Sequence, residues 1–236
     1  MNKKSILTQS ILVALILGTS TVVNAQSAED FHTDEYKNLG DNALDIINAD
    51  KAYAKGYTGK NVILGVCDQP TNFASPEFNR KENSELVDSE GNYDWSILIH
   101  GTHVSGIVAG DKNNLGSHGV AFNAEVKASN AGQNYQANGY FEINPHMYDY
   151  YLKHSEIKII NNSWAEPYYL SSIKNKDEYN KVIDECLKDE GFLSIKAAAE
   201  NDKLLIFSAG NSGHTMPSIY NTVSNMYKKT KTNSLC

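Results

Sequence analysis

His100-Gly-Thr-His-Val-Ser-Gly-Ile-Val-Ala-Gly110 is the stretch on which the fold turns. Small residues recur within it at Gly101, Ser105, Gly106, Ala109 and Gly110. A helix this bare predicts close packing on all sides, because no long side chain holds its neighbours away. His100 stands at its start, where an imidazole can be presented to a cleft. His103 follows one turn later and shares a helical face with it. The two histidines allow two readings. A metal pair would need a third His or an acidic ligand nearby, and none is present. The other reading makes His103 a core residue, hydrogen-bonded internally, and leaves His100 for chemistry.

Outward from that helix, strands alternate with helices. Upstream, 48–50 caps a short helix that runs through Ala54 and ends at Gly56. Residues 61–67 form an apolar run of strand length, and Asp68 follows it directly. Residues 69–99 are charged and loop-rich. Downstream, 124–131, 156–161 and 203–208 read as strands, and 143–154, 177–188 and 191–200 as helices. In the second of these helices Val182, Ile183 and Cys186 lie near one face. The alternation predicts an α/β domain with a mainly parallel β-sheet flanked by helices.

The composition narrows the function classes. The 236 residues are 41% hydrophobic and can bury a sizeable core. The net charge is −7 and Arg80 is the single arginine, so nucleic acid is excluded as the main partner. Beyond the first 25 residues no apolar stretch has the length of a membrane span. Within 1–25, Lys3 and Lys4 precede an apolar run, and Val23-Asn24-Ala25 offers a small-residue cleavage site. This predicts a secretory signal peptide and an exported, bacterial product; an N-terminal membrane anchor is the alternative. Residues 26–42 read as a flexible lead-in, 43–220 as the folded domain, and 221–236 as a polar, aberrant tail. Cys67, Cys186 and Cys236 are odd in number, scattered and without metal spacing, which makes them buried or incidental thiols.

Three further elements could carry chemistry, each beside a plainer reading. Asp68 at the C-terminal end of a parallel strand faces the usual site edge of such sheets, or it caps a turn. Ser208-Ala-Gly-Asn-Ser-Gly213 ends a strand in small residues; the Asn211 amide can donate to a developing oxyanion, or simply favour a turn. Ile159-Ile-Asn-Asn-Ser-Trp164 is a buried strand that opens into polar residues and could pair with an extended peptide, or serve as sheet core.

Together and in this order, these elements resemble the subtilisin-like serine proteases. Ile47-Asn48-Ala49 with Ala54-Lys-Gly-Tyr-Thr-Gly-Lys60 is similar to the family's lead-in. Val66-Cys67-Asp68 resembles its Asp motif, and Ser75-Pro-Glu-Phe78 the turn after it. The stretch from His100 to Gly110 is nearly the family's His motif outright. Gly119-Val-Ala-Phe-Asn-Ala124 resembles the segment leading to the next strand. His100 lies 32 residues after Asp68, close to the spacing of about 32 in subtilisin itself. The resemblance implies a subtilisin-like fold and a secreted endopeptidase that hydrolyses peptide bonds in polypeptide substrates. Asp68 would orient His100, His100 would be the general base, and Asn211 would stabilise the oxyanion. Ser163 and Trp164 would help pair the substrate backbone, and Gly210 would line a side-chain pocket.

The departures also carry information. Gln69 and Pro70 follow Asp68 where the family has Thr or Ser and then Gly, so the turn must differ. Ala165 and Glu166 replace two glycines, which predicts a narrower or more acidic pocket wall. Residues 111–116 occupy the place of a calcium loop in some relatives but offer few acidic ligands, so no metal or other cofactor is expected, with calcium the alternative. The family's Gly-Thr-Ser-Met-Ala nucleophile segment is not found after Asn211; the family spacing would place its serine about 66 residues on, near position 277. The expectation is therefore a domain incomplete at its C-terminus and, alone, inactive. A peptide-binding pseudo-protease and one half of a split enzyme are the alternatives. Similarity to the passenger domains of autotransporter proteases implies a further C-terminal segment that includes an outer-membrane translocator.

Overall fold

The structure, a computed structural model, describes residues 26–38, 43–87, 99–135, 141–164 and 173–211, with 213, 218 and 220. The signal peptide and the polar tail read from the sequence lie outside the described residues, as do Ala165, Glu166 and Cys236. The strands are β1 (Ile63–Asp68), β2 (Glu85–Leu86), β3 (Glu125–Asn130), β4 (Gly132–Tyr135), β5 (Phe141–Ile143), β6 (Ile159–Asn162) and β7 (Leu204–Phe207). The α-helices are α1 (Asp34–Lys37), α2 (Ala43–Ile46), α3 (Ala49–Tyr53), α4 (Ile99–Ala109), α5 (Asp149–Lys153), α6 (Lys176–Cys186) and α7 (Glu190–Glu200).

Five strands make one sheet in the order β2-β3-β1-β6-β7, with every neighbouring pair parallel. β4 and β5 form a separate antiparallel pair. Successive residues of a strand face opposite sides of its sheet. Val66 thus joins Val126, Ala128, Val104 and Ala109 in the core beneath α4. Cys67 joins Tyr148, Tyr151, Ile160, Phe192, Ile195 and Leu205 on the other side, with α5 and α7. The Tyr151 hydroxyl lies 2.8 Å from the Lys127 carbonyl and 3.2 Å from that of Val66, so even the polar tip of this buried ring is satisfied by strand backbone. The α/β architecture with helices flanking a parallel sheet is as the sequence predicts.

Several local expectations are corrected. The lead-in read as flexible contains a turn of 3-10 helix at Glu29–Phe31 and then α1. Phe31 and Tyr36 are buried with Leu44, Ala49, Tyr53 and Phe122. The Glu35 carboxylate accepts the backbone N–H groups of Asn113 and Asn114 at 2.8 and 3.1 Å. Two isolated apolar residues in a polar stretch show no period, and their partners lie far along the chain. The helix expected over 143–154 is only the five residues of α5, because Ile143 ends β5 and the Asn144 side chain accepts the His146 N–H in a turn at 2.9 Å. Asn48 precedes α3 but does not cap it through its side chain; it adopts a left-handed φ of 55°.

The small-residue helix α4 is packed on one side only. Gly101, Val104, Ser105 and Ala109 are buried, whereas Ile99, His103 and Ile107, spaced by four, form an exposed stripe. His103 is thus at the surface and not a core histidine. Cys67 and Cys186 are buried, and neither forms a disulfide among the described residues.

Candidate active site

Because the sheet is parallel, the C-terminal ends of β1, β6 and β7 share one edge. Register places Cys67 beside Asn162 and Asn162 beside Phe207. The residues that follow, Asp68, Ser163 and Ser208, therefore stand level there, and Gly210 and Asn211 come just beyond.

Asp68 is the last residue of β1 and its side chain is 2% exposed, whereas the side chain of His100, in the first turn of α4, is 52% exposed. His100 Nδ1 lies 2.6 Å from Asp68 Oδ1. A carboxylate only accepts, so Nδ1 carries the hydrogen and Nε2 is the ring nitrogen left to take a proton from outside. The Gln69 N–H donates to the same Oδ1 at 2.7 Å, and Oδ2 is buried with no hydrogen-bond partner among the described residues. Burial holds the Asp68 carboxyl above its ordinary range, against the opposing pull of the His100 hydrogen bond and charge and of the Gln69 N–H.

The turn after Asp68 is clasped to α4. Thr71 Oγ1 donates to the Gly101 carbonyl at 3.2 Å and lies 2.7 Å from Ser105 Oγ. The Asn72 N–H donates to Thr102 Oγ1 at 2.9 Å, and the His100 N–H to Gln69 Oε1 at 3.3 Å. Gly101 is required by this approach: a Cβ there would stand 1.8 Å from the Gln69 carbonyl oxygen. Gly101→Ala is expected to cost about 3 kcal/mol, the upper end of overpacking penalties, seen as a fall in the urea midpoint. Sequence reading flagged Gln69 and Pro70 as a changed turn but missed this clasp, because its donors and acceptors lie about thirty residues apart.

The other expected site residues fall on the same sheet edge without joining the Asp68–His100 pair. Gly210 is exposed with a left-handed φ of 86°, and Asn211 is exposed at the turn after β7. Ser163 Oγ accepts from the Asn161 side-chain amide at 3.0 Å. The Trp164 ring is turned inward: its Nε1–H donates to the Cys67 carbonyl at 3.0 Å and its edge packs on Phe207. In the 111–116 segment, Asp111 Oδ1 is 3.3 Å from Lys81 Nζ and Oδ2 accepts the Arg80 N–H at 2.6 Å. Among the described residues no group of three or more His, Cys, Asp or Glu side chains is placed to hold a metal ion.

An Asp–His pair thus stands at the C-terminal edge of a parallel sheet, with the histidine on a small-residue helix. Residues 29–235 match the subtilase family, and the chain belongs to that family. It is 30% identical over 222 residues to an extracellular serine protease of Serratia marcescens, a match covering 75% of this chain and 20% of that protein. It is 34% identical over 100 residues to subtilisin E of Bacillus subtilis, covering 42% of this chain and 26% of the relative. Among solved structures it is similar to the protease domain of PatA, with a TM-score of 0.48 and 17% identity, over 69% of this chain and 55% of that one. The chain spans only about a fifth of the length of the Serratia proteins it matches.

Proposed function

We propose that these residues supply the acid–base half of a secreted serine endopeptidase that hydrolyses polypeptides. The carrying observation is the 2.6 Å bond from His100 to a buried Asp68, with His100 half exposed. In this reading His100 Nε2 takes the proton of a serine hydroxyl as that oxygen attacks the scissile carbonyl. It then returns the proton to the leaving amine. Asp68 holds the imidazole in the Nδ1–H tautomer and stabilises the imidazolium that forms. The Asn211 amide donates to the oxyanion. The backbone at Ser163 and Trp164 pairs with the extended substrate, and Gly210 lines the pocket for the side chain before the scissile bond. The serine belongs to a segment beyond Asn211 that the family resemblance implies, in an autotransporter-type relative followed by an outer-membrane translocator. Export through the signal peptide of residues 1–25 fits the extracellular Serratia relatives.

The test is labelling by a serine-directed fluorophosphonate. A polypeptide of these 236 residues alone is expected to show neither labelling nor peptide hydrolysis, since removing the serine of such a triad costs about 10⁶-fold in kcat. Joined to the family's serine-bearing segment, it is expected to label, and His100→Ala is expected to abolish the labelling. Stoichiometric labelling of the 236 residues alone would overturn the inactive-alone reading. Absence of labelling in the joined chain would favour a peptide-binding role.

A further inference from the structure

We propose that Gln69 is a positioning residue for the general base, holding His100 through its backbone while the neighbouring Asp68 holds it through its ring. This rests on the reading of Asp68 and His100 as the acid–base pair. The first N–H groups of a helix have no acceptor inside the helix. His100 is the second residue of α4, and its N–H donates to Gln69 Oε1 at 3.3 Å, across 31 positions of sequence. Such caps are usually made by a short polar side chain just before the helix. Here the cap comes from the residue that follows the strand carrying Asp68. The Gln69 N–H, 2.7 Å from Asp68 Oδ1, holds the same oxygen that the imidazole uses.

The rest of the turn makes this arrangement rigid. Pro70 is buried, and its ring fixes φ. The Gln69 carbonyl fills the space a Cβ at Gly101 would occupy, so the backbone at 69 is pressed onto the first turn of α4. From that position a Gln side chain has the reach to fold back onto the His100 N–H. A turn or slide of α4 that moved the imidazole off Asp68 would also break the Gln69 bond. A displacement of the helix is therefore opposed by both contacts on His100, which matters because a displacement of about 1 Å at a catalytic group can cost 10²-fold in rate.

The experiment uses the 236-residue chain, ¹⁵N-labelled, with two readouts: hydrogen exchange of the His100 amide, and the downfield resonance of the His100 Nδ1 proton, which reports the bond to Asp68. Gln69→Met keeps the length and removes the acceptor; Gln69→Glu keeps an acceptor. In Gln69→Met the amide is expected to exchange about tenfold faster, the scale of one lost hydrogen bond, and the Nδ1 signal to weaken. In Gln69→Glu both are expected to stay close to the parent. Parent-like behaviour of Gln69→Met, or equal loss in both variants, would overturn the proposal. Should Gln69→Met fail to fold, Gln69→Glu decides: retained amide protection supports the cap and its loss overturns it. The Nδ1 signal should vanish in Asp68→Ala. If it is absent in the parent, the acid–base reading is what fails, and the amide exchange of the Gln69 variants still decides the cap.

Discussion

In a polypeptide that joins these residues to the family's serine, Asp68→Asn is expected to lower kcat about 10⁴-fold, the scale seen when this role is removed from serine peptidases. The cause is tautomeric. An Asn amide can donate to Nδ1, which moves the ring hydrogen to Nε2 and leaves the base unable to accept the serine proton. The same substitution is expected to raise, not lower, the melting temperature at neutral pH. Burial holds the Asp68 carboxyl above its ordinary value of 3.8 in the folded chain. The folded state therefore binds that proton more readily than the unfolded state. Asp68 contributes stability below pH 3.8 and loses it as pH rises through the elevated folded value. Above both, the desolvated negative charge is a standing cost that Asn removes. Melting curves across pH 3 to 8 check this: the parent should carry a downward slope with rising pH through that window that Asp68→Asn lacks. A variant that melts lower than the parent at pH 7 would sink the stability claim, and near-normal turnover would sink the mechanistic one.

The second large effect lies away from the chemistry. Lys81 and Asp111 face each other at 3.3 Å with side chains 4% and 2% exposed, and Lys81 Nζ also donates to the Phe122 carbonyl at 2.5 Å. Asp111→Ala leaves the ammonium buried without its counter-charge and takes the acceptor from the Arg80 N–H. Breaking a buried pair from one side costs about 3–5 kcal/mol, or roughly 10 °C in melting temperature for a domain of this size. The double variant Lys81→Met/Asp111→Ala removes both charges and is expected to recover most of that loss. Urea unfolding of the single and double variants checks both. A loss below about 1 kcal/mol for the single variant, or a double variant worse than the single, would show that the buried pair does not carry the stability assigned to it.

These two sites differ in how far the sequence announces them. Asp68 and His100 were legible because strand position, helix composition and the 32-residue interval all converge on them. Lys81 was not, since it sits in a charged loop with nothing to mark it as buried. Phe31 and Tyr36 were missed for the same reason, their partners Tyr53 and Phe122 being distant in sequence. His103 was misplaced because small residues on α4 imply contact without saying on which face. In fact Ile99, His103 and Ile107 make an open stripe.

Alternation of strands and helices determined the parallel α/β architecture from the sequence alone, because local hydrophobic period and turn chemistry are properties of adjacent residues. The His100–Gly110 stretch with the Asp68 spacing likewise pointed to the family, and to the two residues that the structure places 2.6 Å apart. Only the tertiary structure decided how that pair is held: one Asp68 oxygen shared by His100 and the Gln69 N–H, its second oxygen buried and without a partner among the described residues, and the Gln69 side chain capping the helix that carries His100. Such contacts join groups about thirty positions apart, and their energies depend on burial and distance, which no local pattern encodes.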